Sequence, residues 1–149
     1  MGHDKPSTNS KVKHKDNKMK ISQLSKLTQV PNKTIRYYEE AGLIPLATRN
    51  LNGYRDYQHA DIEQLIFIRR CRELQIPIEQ IKILIQVKND KKSSCEGVDT
   101  LIIEQLQKVR KTITELSLLE QTLAELAQSC PNNIVEECQI LKNLQQEIN

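Results

Sequence analysis

Tryptophan is missing from this chain, phenylalanine occurs once, and aromatic residues fill only 3% of its 149 positions. Glycine is scarce at four residues, and proline numbers five. That composition excludes collagen-like and glycine-rich low-complexity architectures. It also favours helices over a β-sandwich, whose packed strands and frequent turns draw on those residues. Long apolar runs are absent: nothing approaches the ~20 consecutive apolar residues of a membrane span, and residues 1–20 lack the apolar segment of a secretory signal. With 38% hydrophobic residues and a mean hydropathy of -0.57, the expectation is a soluble, cytoplasmic, mainly α protein with no membrane partner. A glycine-rich phosphate loop is missing too. No histidine lies near Cys71 or Cys95 in sequence, so neither thiol has the base a cysteine nucleophile needs. The chain does not read as an enzyme.

What the chain does have is charge, unevenly placed. Residues 1–92 hold 18 Lys and Arg against 10 Asp and Glu, a net +8, while residues 93–149 hold 4 against 9, a net −5. All five aromatics (Tyr37, Tyr38, Tyr54, Tyr57 and Phe67) fall in the basic part. Such asymmetry suggests a polyanion-binding half joined to a half with another task, the plainer alternative being a merely solvated basic surface. Residues 1–18 have no apolar period and read as a disordered basic extension. In it His3 and His14 stand too far apart to suggest a metal site. A polyanion-binding domain is then expected over 19–92 and a second unit over 93–149.

From Ile21 the pattern becomes helical. Ile21, Leu24 and Leu27 share a face, with Ser22 as the expected cap, and Val30-Pro31 breaks the run. A second short helix is expected over 32–40, closed by Gly42. Two short helices joined by a tight turn form a helix-turn-helix pattern, and the second carries Lys33, Thr34, Arg36, Tyr37 and Tyr38, combining charge with hydroxyl donors. Asn52-Gly53 then predicts a two-residue hairpin turn. Arg49, Tyr54, Arg55 and Tyr57 flank it, a "wing" that can lie along a DNA backbone; Tyr57 is expected in the core and Arg55 facing out. Residues 60–74 read as a helix with Ile62, Leu65, Ile66, Ile68 and Leu74 apolar. After Pro77, Ile78, Ile81, Leu84 and Ile85 mark one more. NDKKSS is a polar linker.

Between Val98 and Cys130 there is neither Gly nor Pro. The apolar positions Ile102, Leu106, Val109, Ile113, Leu116, Leu119, Leu123 and Leu126 step by three and four, a coiled-coil seam. One small domain cannot cover so long a stripe, so a second copy of the chain is the expected partner.

Four cysteines remain. Cys71 sits inside the FIRRCREL helix and reads as a small buried residue. Cys95 precedes the long helix, Cys130 ends it, and Cys138 follows across PNNIVEE. A straight helix holds its ends ~50 Å apart, so one chain cannot bring Cys95 and Cys130 to a single ion. An antiparallel dimer can. Three thiolates per site suit soft ions such as Cd(II), Pb(II), Hg(II) or Cu(I), or Zn(II) with an added ligand. A histidine-assisted zinc site is excluded there because no His follows His59. Glu136 and Glu137 read as a solvated pair that can also offer an oxygen. Scattered free thiols are the equal alternative on spacing alone.

Together MKISQLSKLTQVPNKTIRYYEEAGLIP, NGYRDY and IEQLIFIRRCRELQIPIEQIKILI resemble the MerR family of metal-responsive transcription regulators, over Met19 to about Gln146. Within it FIRRCREL, SSCEGV and CPNNIVEECQIL are similar to the Cd(II)/Pb(II)-responsive branch. The resemblance implies a winged helix-turn-helix DNA-binding domain, a long antiparallel dimerisation helix and a C-terminal metal-binding loop. Its DNA contacts fall on Lys20, Thr34, Arg36, Tyr37, Tyr54 and Arg55. Its metal ligands fall on Cys130 and Cys138 of one chain and Cys95 of the other. It further implies a homodimer that binds double-stranded promoter DNA and, on taking up metal, distorts an over-long promoter spacer so that RNA polymerase engages both promoter elements. The eight-residue step from Cys130 to Cys138, with Pro131 after the first, also resembles the Cu(I)-sensing branch, which lacks a thiol at the position of Cys95. The zinc-sensing branch carries a loop histidine absent here. A dimer responding to oxidation is a further alternative.

Overall fold

The computed structural model describes residues 18–129, 135 and 138–146. The expectation for residues 1–18 therefore falls, but for Lys18, outside the described residues. The chain divides between Ser93 and Ser94 into two compact units.

The first unit opens with α1 (Ile21–Thr28) and α2 (Asn32–Glu40). The start of α1 is not at Ser22. Lys20 is the N-cap, and its backbone N–H donates to Gln23 Oε1 at 3.0 Å, so a side chain three residues on satisfies a donor the helix leaves open. Leu24 and Thr28 fill the buried face of α1, whereas Leu27 is exposed. A seven-residue step from Ile21 keeps Thr28 on one stripe, and its hydroxyl is satisfied by the Leu24 carbonyl at 2.8 Å. Arg69 closes the other end of α1, donating to the Thr28 carbonyl at 3.1 Å, a cation where the helix dipole is negative. α2 ends as expected. Gly42, at φ +78, donates to the Glu39 carbonyl while Leu43 donates to that of Tyr38, a Schellman closure that suits a residue without Cβ.

The hairpin pairs β1 (Thr48–Arg49) with β2 (Arg55–Asp56), antiparallel in the register Thr48↔Asp56 and Arg49↔Arg55. Its turn is longer than the two residues expected. Asn50 donates to the Tyr54 carbonyl, leaving Leu51, Asn52 and Gly53 as the loop, with Gly53 at φ +78. The Asn50 carboxamide decides this, accepting from the N–H groups of Asn52 (3.0 Å) and Tyr54 (3.1 Å). Met19 bridges Tyr57 beside the hairpin.

α3 (His59–Glu73) and α4 (Ile78–Asn89) complete the unit. Its core comprises Leu24, Ile35, Tyr38, Tyr57, Leu65, Ile68, Ile76 and Ile81 with their neighbours. Leu74 is exposed, not buried as its spacing suggested, because α3 closes there and Gln75 (φ 61) turns the chain so that Ile76 enters the core.

In the second unit α5 (Glu96–Gln128) runs for 33 residues, and α6 (Gln139–Gln145) packs on it. α5 begins two residues before the expected Val98 and takes Gly97 into its first turn. The short α6 has no counterpart in the sequence reading. Ile102, Leu106, Val109, Ile113, Leu116, Leu119 and Leu123 are all exposed in the single chain, and the residues α5 does bury, Leu101 and Gln105, lie off that stripe. Among the described residues no helix is long and apolar enough to cross a membrane.

Candidate functional site

A cavity of about 250 Å³ opens between the start of α1, α2 and the hairpin, lined by Lys20, Ile21, Ser22, Arg36, Arg49, Gly53, Tyr54 and Arg55. Four cations and one phenol therefore face one small space, an arrangement that suits a phosphate backbone. The fold brings together Lys20, Arg36, Tyr54 and Arg55 of the expected DNA contacts. It adds Arg49, which the cross-strand register puts opposite Arg55. Thr34 and Tyr37 do not line the cavity: Thr34 is half-buried and Tyr37 is 53% exposed. Tyr38, noted beside them for its hydroxyl, belongs instead to the core.

Arg55 does not simply face out. Its side chain is 33% exposed, and its Nε lies 3.8 Å from Glu39 Oε2. Glu39 is the residue that the sequence reading missed. It is 4% exposed, accepts a short hydrogen bond from the Tyr57 hydroxyl and accepts another from the Ala47 N–H at 3.3 Å. Burial, then the Glu39 hydrogen bond and charge, push the Tyr57 phenol well above its ordinary 10.0, with Arg55 and Arg36 pulling weakly the other way. Two glutamates closing a helix that also carries Lys33 and Arg36, in RYYEE, were the available signal.

The thiols separate along the chain. Cys71 is buried in α3, and burial raises its thiol above 9.0 despite Lys88, which suits an unreactive packing residue. Cys95 is exposed at the N-cap of α5 and Cys138 half-buried at the N-cap of α6; Cys130, Glu136 and Glu137 lie outside the described residues. A helix of 33 residues separates its ends by roughly 50 Å. The ten steps from Gln128 to Cys138 span at most about 35 Å even fully extended. Cys138 thus cannot reach Cys95 of its own chain.

Comparison with known proteins decides the family. Residues 19–88 match the MerR HTH family regulatory proteins and residues 62–126 match the family "MerR, DNA binding". The transcriptional regulator CueR of Vibrio cholerae is 34% identical over 85% of this chain and 91% of its own length. A Haemophilus influenzae protein named "Probable heavy metal-dependent transcriptional regulator" is 37% identical over 85% of this chain and 98% of its own. The transcription regulator PbrR691 of Ralstonia metallidurans, solved in complex with lead(II), shares 32% identity at a TM-score of 0.75, covering 85% of this chain and 98% of that one. The chain belongs to the MerR family of transcriptional regulators. In MerR terms α1 and α2 are the helix-turn-helix, β1 and β2 its wing, and the cationic cavity lies between them, inside the segment matched at 19–88. The relatives are regulators of transcription, not enzymes.

Proposed function

We propose that this MerR-family chain is a homodimeric, metal-responsive activator of metal-resistance or efflux genes, induced by Cd(II) or Pb(II). The observation that carries the metal reading is the separation of the thiols. Cys130 and Cys138 of one protomer can share an ion with Cys95 only if that Cys95 comes from the partner, so ion binding links the two chains. Three thiolates carry three negative charges, which a divalent ion offsets better than a monovalent one, and their softness suits Cd(II), Pb(II) or Hg(II). The lead(II)-bound relative supports this choice. The exposed stripe on α5 supports the dimer, because a continuous apolar seam of that length calls for a second copy.

On DNA, Lys20, Arg36, Arg49 and Arg55 neutralise phosphates while Thr34, Tyr37 and Tyr54 add hydroxyl donors and ring contacts. Each protomer holds one half-site, and a change at the cross-chain thiols shifts the seam and with it the spacing of the two DNA-binding units. The promoter is thereby twisted toward a form RNA polymerase can engage.

A second reading has one observation in its favour. The CueR relative fits the likeness of the Cys130–Pro131…Cys138 loop to the Cu(I)-sensing branch, in which two thiolates suffice. Cys95→Ser separates the two. In a metal-dependent transcription assay with a panel of ions, it abolishes activation by Cd(II) and Pb(II) while operator binding stays intact. A full response in that variant would transfer the protein to the two-sulfur, Cu(I) class.

A further inference from the structure

We propose that Glu39 is a positioning residue for DNA recognition, one carboxylate that sets the wing against α2 and orients Arg55 toward the duplex. The inference rests on the DNA-binding reading above and deepens it. Glu39 is the one charged side chain buried among the described residues, and a buried carboxylate is costly unless fully paired. Among the described residues, the partners of its carboxylate lie on or beside the wing. Ala47 immediately precedes β1, Arg55 is within β2, and Tyr57 directly follows it; they give a backbone N–H at 3.3 Å, a guanidinium at 3.8 Å and a phenolic hydroxyl. Both legs of the hairpin are therefore tied to a single point on α2.

That point lies one turn from Arg36, which lines the cavity with Arg55. Arg36 enters the cavity from α2 and Arg55 from the wing, so the spacing between these two cations depends on the angle at which wing and helix meet. Two cations that meet two phosphates of one duplex need a fixed separation. Glu39 holds Arg55 through Nε, which leaves the terminal guanidinium nitrogens, with four of the five N–H donors, for a ligand in the cavity. Without the carboxylate, Lys20, Arg36, Arg49 and Arg55 also repel one another with less opposing charge nearby.

Glu39→Gln tests this in the full-length dimer, because glutamine keeps the volume and one acceptor but presents a donor to the groups that Glu39 receives. The readouts are operator affinity across a salt series, thermal melting, and a double-mutant cycle with Arg55→Gln. The expected result is a cooperative fold with operator affinity lowered about ten-fold, and little further loss when Glu39→Gln is added to Arg55→Gln. A role in packing alone would give additive losses and a lowered melting temperature. Wild-type affinity in Glu39→Gln, or additive losses in the cycle, would overturn the proposal. If the wild type itself bound DNA without salt dependence, the DNA-binding reading would fail instead. Should Glu39→Gln not fold, Tyr57→Phe replaces it, since the ring still fills the core and only the hydroxyl donor is lost. Reduced operator affinity in a folded Tyr57→Phe dimer supports the proposal, and unchanged affinity overturns it.

Discussion

Tyr57 shows how one residue joins core and surface. Its ring is completely buried while its hydroxyl ends on a carboxylate, so ionising the phenol would place two negative charges side by side. Tyr38 and Cys71 are also raised by burial above their ordinary values of 10.0 and 9.0. All three groups are neutral when protonated, and folding favours the proton. Their contribution is thus complete below pH 9 and is lost as pH rises through the raised values. Chemical denaturation from pH 8 to 11 is expected to show stability falling with pH, and Tyr57→Phe to show a shallower fall from a lower starting point. Equal slopes in the two proteins would mean that the phenol does not govern alkaline unfolding. The sequence could place Tyr57 in the core because a large tyrosine ring flanking the hairpin gains by packing on apolar neighbours. It could not reveal the carboxylate beneath it, since Glu39 lies 18 residues away and pairs only once the wing folds over α2.

At the scale of elements, boundaries follow local chemistry and faces follow packing. The bounds of α2 and its closure at Gly42 were readable because Pro31 and Gly42 restrict or free the backbone by themselves. The turn of the wing was not, because Asn50 competes for the backbone N–H groups that a two-residue loop would leave to the strand. On α5 the apolar period was readable in full, and the fold leaves that stripe exposed, with Ile113 at 58% and Leu116 at 57%. Lysine at Ile113 or Leu116 puts an unpaired charge into a dimer seam, a loss of about 3 kcal/mol or more. Analytical ultracentrifugation is expected to find monomer or unfolded chain. A variant that sediments as a folded dimer would move the seam to another face of α5.

For the molecule as a whole, the thiols make a prediction that no single chain can satisfy. One protomer carrying Cys95→Ser, mixed with one carrying both Cys130→Ser and Cys138→Ser, retains one complete set of three thiols: the loop of the first with Cys95 of the second. Either parent homodimer has none. Titration of the purified mixed dimer with Cd(II) is expected to show one tight site per dimer, against two for the wild type. No tight site would refute the cross-chain arrangement.

The sequence by itself determined what is local or periodic. The helix-turn-helix, the wing, the long helix, the opposed charges of the two parts and the four cysteines all follow from backbone preferences and residue chemistry a few positions apart. Only the tertiary structure decided which of these groups meet. Arg49 joins Lys20, Arg36, Tyr54 and Arg55 around one cavity because strand pairing sets it opposite Arg55. Tyr38 leaves the surface for the core, and Glu39 becomes a buried anchor with its partners drawn from the wing. The physical reason is range. A helix or turn gains its stability from neighbours in sequence, whereas a buried charge is tolerable only beside partners that the folded chain brings from far along it.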